Sequence, residues 1–208
     1  KKSLKLDLSF FGENHPSVAS GYYNIGYVYF AQGDYSKALE YFEEVLKIRL
    51  SVYGENHSRV ASVYNDIGEI YSVQGDDFKA LDYFKKSLKI VLSVYGENHS
   101  QVSSIYDHIG EIYFAQKDYS KALYYFEESL KIRLSLFGEN HPEVALSYYS
   151  IGSLYIIQGD KSKALNYYEK SLKIRLSVYG ENHPLTKEIM DLINVANSKV
   201  LQSPETTK

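Results

Sequence analysis

The 208-residue sequence contains no cysteine, which excludes disulfide bonds, thiol catalysis and zinc sites built from thiolates. It also lacks a large excess of either charge, because 23 Lys and Arg residues stand against 26 Asp and Glu residues, for a net charge of −3. A chain without a basic surplus is unlike a nucleic-acid-binding protein. We therefore expect no nucleic acid among its partners.

Long apolar segments are absent as well. No stretch approaches the ~20 apolar residues of a transmembrane helix, and residues 1–11 lack the apolar core and cleavage site of a signal peptide. We therefore expect a cytoplasmic protein that does not bind membranes. Because the chain begins without methionine and inside a repeat, we interpret it as a fragment of a longer protein.

Sequence motifs of catalysis are missing too. There is no glycine-rich phosphate loop, no Gly-x-Ser-x-Gly motif and no pair of histidines at metal-binding spacing. His108 falls in an acidic stretch and could act as a proton switch or a weak metal ligand, although a lone surface histidine is usually an ordinary polar side chain. We predict no enzymatic activity, no cofactor and no metal.

The sequence does contain a 42-residue repeat, marked by the letters GENH. Its five copies begin at Gly12, Gly54, Gly96, Gly138 and Gly180. After each of the first four copies, apolar and small residues follow at steps of 4, 3, 1 and 3, which predict a helix with one apolar face, here called helix A. In the first repeat these residues are Val18, Tyr22, Ile25, Gly26 and Tyr29.

A second and longer helix, helix B, follows in each repeat. The pair Gly33-Asp34 separates the two helices of the first repeat, and the aspartate can cap helix B. Lys117-Asp118 is the one departure from this Gly-Asp pattern. Apolar residues then mark one face from Tyr35 to Tyr53, over ~20 residues or roughly 30 Å. Each repeat is thus predicted to be a pair of packed helices.

Side chains on the apolar faces are predicted to form the core. We expect Tyr22, Tyr29 and Phe42 to pack between the helices as bulky core residues. The recurring Gly26 and Ala38 are expected to let helix A and helix B approach closely.

Three of the four GENH residues have an expected role between the repeats. We predict that Gly54 adopts a left-handed conformation after helix B, that Asn56 stabilises its own turn, and that His57 is the N-cap of the next helix A. The five histidines would lie on the order of 10 Å apart. That separation is too large for a shared metal held at ~2 Å.

The repeat resembles the tetratricopeptide repeat (TPR). The pattern aromatic-x-x-large-Gly-x-x-Tyr, then Ala, then an aromatic residue, is filled in all four repeats, and in the first by Tyr22, Ile25, Gly26, Tyr29, Ala38 and Phe42. The ordinary TPR has 34 residues and a proline that closes helix B. A leucine stands at that place here, Leu50 in the first repeat, so helix B continues, as in the 42-residue repeats of kinesin light chains.

This resemblance implies an all-α fold, a right-handed α-solenoid superhelix of antiparallel helix pairs whose helices A line a concave groove. We divide the chain into a partial helix B at 1–12, four repeats at 13–54, 55–96, 97–138 and 139–180, a C-terminal capping helix at 181–202 and a disordered tail at 203–208. Asn194 and Asn197 replace the glycine and second tyrosine of helix A, which is typical of a cap.

In this family, peptides bind at the helix A positions that face away from helix B. The positions that vary between repeats are Tyr23, Asn24, Tyr27, Phe30, Asn65, Asp66, Glu69, Asp107, His108, Glu111, Phe114, Tyr149, Ser150 and Ile156. None is Lys or Arg, and four carboxylates fall in the two middle repeats. We therefore predict a basic or mixed basic and aromatic peptide, although these carboxylates could also be an ordinary solvated surface.

The predicted function is a non-enzymatic protein–protein interaction scaffold or adaptor that binds a peptide segment of a partner. The alternative is a structural or self-assembly module that spaces or multimerises attached domains. Self-association could use the open apolar face of the partial helix B at 1–12. The sequence leaves open whether the groove is filled by a partner or by the protein's own chain.

Overall fold

The computed structural model describes residues 2–198, which form ten α-helices and no β-strand. The helices are α1 Lys2–Phe11, α2 Pro16–Ala31, α3 Tyr35–Tyr53, α4 Ser58–Val73, α5 Asp77–Tyr95, α6 Ser100–Ala115, α7 Tyr119–Phe137, α8 Pro142–Gln158, α9 Lys161–Tyr179 and α10 Pro184–Ser198. The predicted all-α class is confirmed. The tail at 203–208 and the end of the predicted capping helix lie outside the described residues.

Two compact units divide the chain; unit 1 ends at Glu97 and unit 2 begins at Asn98. Both are built from pairs in which a 16- or 17-residue helix A precedes a 19-residue helix B. The pairs are α2 with α3 and α4 with α5 in unit 1, and α6 with α7 and α8 with α9 in unit 2. The longer helix B is therefore confirmed, whereas the repeat boundaries remain our sequence-based division.

The turn inside each pair is closed by the predicted aspartate cap. In the first pair, Gly33 has a φ of 77° and the Asp34 carboxylate accepts the Lys37 N–H at 3.3 Å. The same bond recurs in the other three pairs at 3.1 to 3.2 Å. Lys117 takes the place of the glycine and keeps the positive φ, at 62°. A residue other than glycine is strained in that conformation, because its Cβ atom comes too close to the backbone.

The connection between helix pairs agrees with the predicted roles of Gly54 and His57 except for one torsion angle of Gly54. Gly54 has the positive φ that we predicted, 77°, yet its ψ is 174°, so the expected left-handed helical conformation is wrong. This combination of angles is open essentially to glycine alone. His57 is the N-cap as predicted, because its Nδ1 accepts the Arg59 N–H at 3.1 Å. Its ring also stacks on Tyr53, with centroids 4.5 Å apart.

The core of each pair lies where a glycine of helix A meets an aromatic ring of helix B. A Cβ atom added to Gly68 would lie 2.9 Å from the Phe84 ring, which is fully buried. The predicted close approach at this glycine is thus confirmed. Tyr22 and Tyr29, however, are only half-buried, and they pack around Tyr41 with centroids 6.0 and 5.6 Å away. Their hydroxyls keep them at the edge of the core.

Candidate peptide-binding surfaces on helices A

In unit 1, helices α2 and α4 place aromatic and acidic side chains together. Tyr27 and Phe30 of α2 meet Asp66 and Glu69 of α4 around a cavity of about 10 Å³, with Phe42 beneath them. Tyr27 is 58% exposed, so the edge of this cluster is open to solvent. We call Tyr23, Tyr27, Phe30, Asp66 and Glu69 the Asp66 site.

The Asp66 carboxyl group is the unusual member of this site. It accepts a hydrogen bond from the Tyr23 hydroxyl, but its Oδ2 atom is buried and has no hydrogen-bond partner among the described residues. Burial, and then the neighbouring charge of Glu69, raise the pKa of Asp66 to about 7. Burial and the nearby Asp66 in turn raise the pKa of Tyr23 to about 12. A buried carboxylate with an unsatisfied oxygen favours a cation or a donor beside it.

An arginine of helix B also reaches this face. The Arg49 guanidinium of α3 lies 5.2 Å from the centre of the Tyr23 ring. It donates to the Arg59 carbonyl oxygen at 2.7 Å and to the Ser62 hydroxyl at 2.9 Å. Because both of these acceptors are neutral, its charge acts on Asp66 only through space. No residue in the described range forms a direct ion pair with Asp66.

In unit 2 the equivalent arginine neutralises a predicted site carboxylate. Arg133 of α7 lies 2.7 Å from the Asp107 carboxylate and 3.0 Å from that of Glu143, and it donates to the Ser147 hydroxyl at 2.8 Å. Burial raises the pKa of Asp107, and the Arg133 charge opposes that rise. The sequence-based picture of four open carboxylates therefore changes, because Asp107 is occupied by an internal ion pair.

A third arginine holds the last aromatic residue of the predicted set. The Arg175 guanidinium of α9 lies 5.0 Å from the centre of the Tyr149 ring and donates to the Leu185 carbonyl oxygen at 2.6 Å. The Tyr149 hydroxyl donates to Glu188 Oε1 at 3.0 Å. Tyr149 is thus fixed in place by α9 and α10.

Sequence reasoning missed these three arginines because they belong to helix B. A signal was nevertheless available, since the same repeat position is occupied by Arg49, Val91, Arg133 and Arg175. The second repeat, with valine, is the exception. It is also the repeat in which Asn65 stands at the position of Asp107, and the buried Oδ1 atom of Asn65 has no partner among the described residues.

The remaining predicted residues are not all brought together. Asn24 lines a separate open depression of about 400 Å³ with Ile25, Val28, Tyr29 and Gln32. Asn65 donates to Glu69 Oε1 at 2.7 Å. In unit 2, His108 Nδ1 lies 3.9 Å from Glu111 Oε2, and Phe114 packs against Tyr119 with centroids 5.9 Å apart. Ser150 is half-buried, and Ile156 is 37% exposed.

Two further properties bear on function, the capacity of a helix to span a membrane and the grouping of metal-binding side chains. Across residues 2–198, none of the helices combines the length and apolar character that a membrane span requires. Within the same range, no three His, Asp or Glu side chains come together in a group that could hold a metal ion.

Repeated helix pairs with variable, partly exposed helix A faces define a helical-repeat scaffold for protein–protein interaction. A family model described as "Tetratricopeptide repeat" matches residues 1–51, 17–90, 59–135 and 101–177. The chain therefore belongs to the tetratricopeptide repeat family. Proteins of this family generally bind protein partners and are typically non-enzymatic interaction modules.

Solved structures share the fold at low sequence identity. BtubC (BKLC) from P. vanneervenii matches with a TM-score of 0.75 and 18% identity, covering 100% of this chain and 91% of that one. A kinesin light chain-like protein from P. anserina, with nearly identical TPR-like repeats, matches with a TM-score of 0.70 and 16% identity, covering 91% of this chain and 99% of that one. The apo form of RapI matches with a TM-score of 0.74 and 18% identity, covering 88% of this chain and 64% of that one.

These structures support the fold alone, since all are less than 25% identical to this chain. They confirm the predicted TPR solenoid class and its resemblance to kinesin light chain repeats. Among curated proteins, none matches this sequence.

Proposed function

We propose that this chain is a non-enzymatic adaptor that binds a peptide segment of a partner protein, and that the Asp66 site binds a basic side chain of that peptide. The observation that carries the proposal is the buried Asp66 Oδ2 atom, which has no hydrogen-bond partner within residues 2–198 and lies beside Glu69 and the exposed Tyr27 ring. The predicted preference for basic or mixed basic and aromatic peptides is thereby assigned to unit 1.

The chemistry of the site favours a cation over an anion. A Lys or Arg side chain would donate hydrogen bonds to Asp66 and stabilise its ionised form. The aromatic faces of Tyr27 and Phe30 add cation–π attraction and apolar contact. A carboxylate of a peptide would instead meet the like charge of Glu69 and that of Asp66 in its ionised form.

The size of the cavity limits what can enter it. A volume of about 10 Å³ is about that of one water molecule. We therefore expect the end of a basic side chain at the cavity, with the rest of the peptide lying over Tyr27 and the neighbouring surface of α2. Asp107 is not part of this proposal, because Arg133 already pairs with it.

Fluorescence anisotropy with labelled peptides tests the proposal. Matched peptides that differ only in Arg against Glu at one position are titrated into the wild type and into Asp66→Asn. We expect the Arg peptide to bind more tightly, and to lose about tenfold in affinity in the variant. Glu40→Gln removes an exposed carboxylate of α3 and serves as the control. Tighter binding of the Glu peptide, or equal binding by Asp66→Asn, would rule out the basic-peptide site.

A second candidate function is self-assembly, which the surface of α1 favours. Leu6, Phe10 and Phe11 are 57%, 78% and 55% exposed, so three large apolar side chains of this helix are available for contact with another molecule. Light scattering of the wild type and of Phe10→Glu checks this candidate. Loss of a dimer in the variant would support assembly, and a monomeric wild type at high concentration would reject it.

A further inference from the structure

A second polar and aromatic surface lies in unit 2, between α8 and α9. Tyr155, Ser162, Lys163, Asn166, Tyr167 and Lys170 line an open depression of about 320 Å³, which we call the Tyr–Lys depression. None of these residues was among the predicted groove positions.

Both lysines of the depression lie over tyrosine rings. Lys163 Nζ is 5.0 Å from the centre of the Tyr155 ring, and Lys170 Nζ is 5.3 Å from that of Tyr167 and 5.4 Å from that of Tyr148. The rings themselves pack together, with Tyr155 and Tyr167 stacked at 5.7 Å. Cation–π contacts hold the ammonium groups in place but leave their N–H donors available to another acceptor.

The same arrangement in unit 1 carries one more negative charge. There, Lys86 lies 4.9 Å from the centre of the Tyr83 ring and pairs with the Asp82 carboxylate at 2.7 Å. In unit 2, 84 residues later, Asn166 stands in place of Asp82. Among residues 2–198, Lys170 forms no salt bridge. Lys163, by contrast, pairs with its capping Asp160 at 3.2 Å.

The helix that carries the depression is strongly basic. Helix α9 contains five basic residues and one acidic residue, for a net charge of +4. Helix α5 contains four basic and two acidic residues, for a net charge of +2. Glu127 and Glu139 act electrostatically on Tyr167 and Tyr148. The excess of basic residues on α9 nevertheless favours an anion beside Lys170.

We propose that the Tyr–Lys depression is a second docking surface, which binds an acidic segment of a partner protein through Lys170, Lys163 and the tyrosine hydroxyls. Burial raises the pKa of Tyr167, so its phenol stays protonated and donates to a carboxylate at neutral pH. The proposal is independent of the Asp66 site, because the two surfaces lie in different units and bind opposite charges.

Fluorescence anisotropy of the full chain with a labelled octaglutamate peptide tests this proposal. Asn166→Asp recreates the carboxylate that pairs with Lys86 in unit 1, and we expect it to lower the affinity about fivefold or more. Lys170→Gln should have the same effect. Lys47→Gln is the control, since Lys47 is a highly exposed lysine of α3. In the reciprocal variant, Asp82→Asn, we expect tighter overall binding, because Lys86 is released from its partner.

Four results would overturn the proposal. The first is an unchanged affinity for octaglutamate in Asn166→Asp, and the second is a loss of affinity in Lys47→Gln as large as that in Lys170→Gln. The third is that octaglutamate does not bind measurably. The fourth is that inorganic phosphate displaces the labelled peptide at the same concentration as unlabelled octaglutamate does. The last result would show a small-anion site instead of a peptide surface. Far-UV circular dichroism of each variant confirms that the exposed substitutions leave the helices intact.

Discussion

The Arg133 guanidinium and the Asp107 carboxylate lie 2.7 Å apart, and the arginine side chain is only 5% exposed. A buried arginine keeps its charge, so it requires a partner, and removal of one member leaves the other uncompensated. This pair joins helix A to helix B at a position where the sequence alone indicated a ligand-binding carboxylate.

Arg133→Val should destabilise the protein by about 3 kcal/mol or more, because Asp107 and Glu143 lose their buried partner. Urea denaturation monitored by circular dichroism measures the change in the free energy of unfolding. The second repeat supplies the matched control, since it carries Val91 and Asn65 at these two positions. The double variant Arg133→Val with Asp107→Asn should recover much of the loss. A single variant that loses less than about 1 kcal/mol would contradict the assignment.

Asp66 should make stability depend on pH in a direction opposite to that of most carboxylates. Its pKa is raised from 3.8 to about 7, so between these values the folded state binds more protons than the unfolded state. The contribution of Asp66 is therefore greatest at low pH and is lost as the pH rises through about 7. The loss should reach at most about 4 kcal/mol.

The measurement for Asp66 is the difference in unfolding free energy between the wild type and Asp66→Asn at pH 5 and pH 8. We expect the variant to gain stability relative to the wild type as the pH rises. Glu40→Gln gives the reference for an exposed carboxylate. A difference that is constant across this pH range would show that the carboxyl group is not perturbed.

Lys117→Gly should stabilise the protein by about 1 kcal/mol, because Lys117 holds a positive φ that glycine adopts without strain. Thermal and urea denaturation both report this change. Gly75→Lys, at the corresponding turn of unit 1, should cost a similar amount. If Lys117→Gly were neutral or destabilising, the turn would not be strained by the lysine.

Gly68→Ala should destabilise the second helix pair, although alanine is the better helix former by about 1 kcal/mol. The added Cβ would lie 2.9 Å from the fully buried Phe84 ring, and relief requires the helices to move. We expect a net loss of about 1–3 kcal/mol in urea denaturation. Combining Gly68→Ala with Phe84→Leu should restore part of the lost unfolding free energy. If the effects of the two substitutions were simply additive, that result would argue against the contact.

The local structure of this protein follows from residues that are close together in the sequence. The apolar spacing around Val60 and Ile67, the Asp76 cap and the His57 cap all depend on residues within one or two helical turns, so a single repeat contains the information. The recurring small residues, Gly68 among them, also predicted the close approach of helix A and helix B, whereas the contact of Gly68 with the Phe84 ring was seen only in the structure. Even here, the ψ of Gly54 could not be predicted, because glycine permits several torsion angles at a helix end.

The charges and contacts of the candidate sites, by contrast, depend on the packing of helices against one another. Arg133 is distant in sequence from Asp107, and only the packing of helix B between neighbouring helices A brings the two charges together. In the part of the chain that the structure describes, the same packing leaves Asp66 without an ion pair and places Lys170 over two tyrosine rings. The free energy of a charge depends on its burial and on the charges around it, and helical periodicity within one repeat does not reveal which charges another helix brings close.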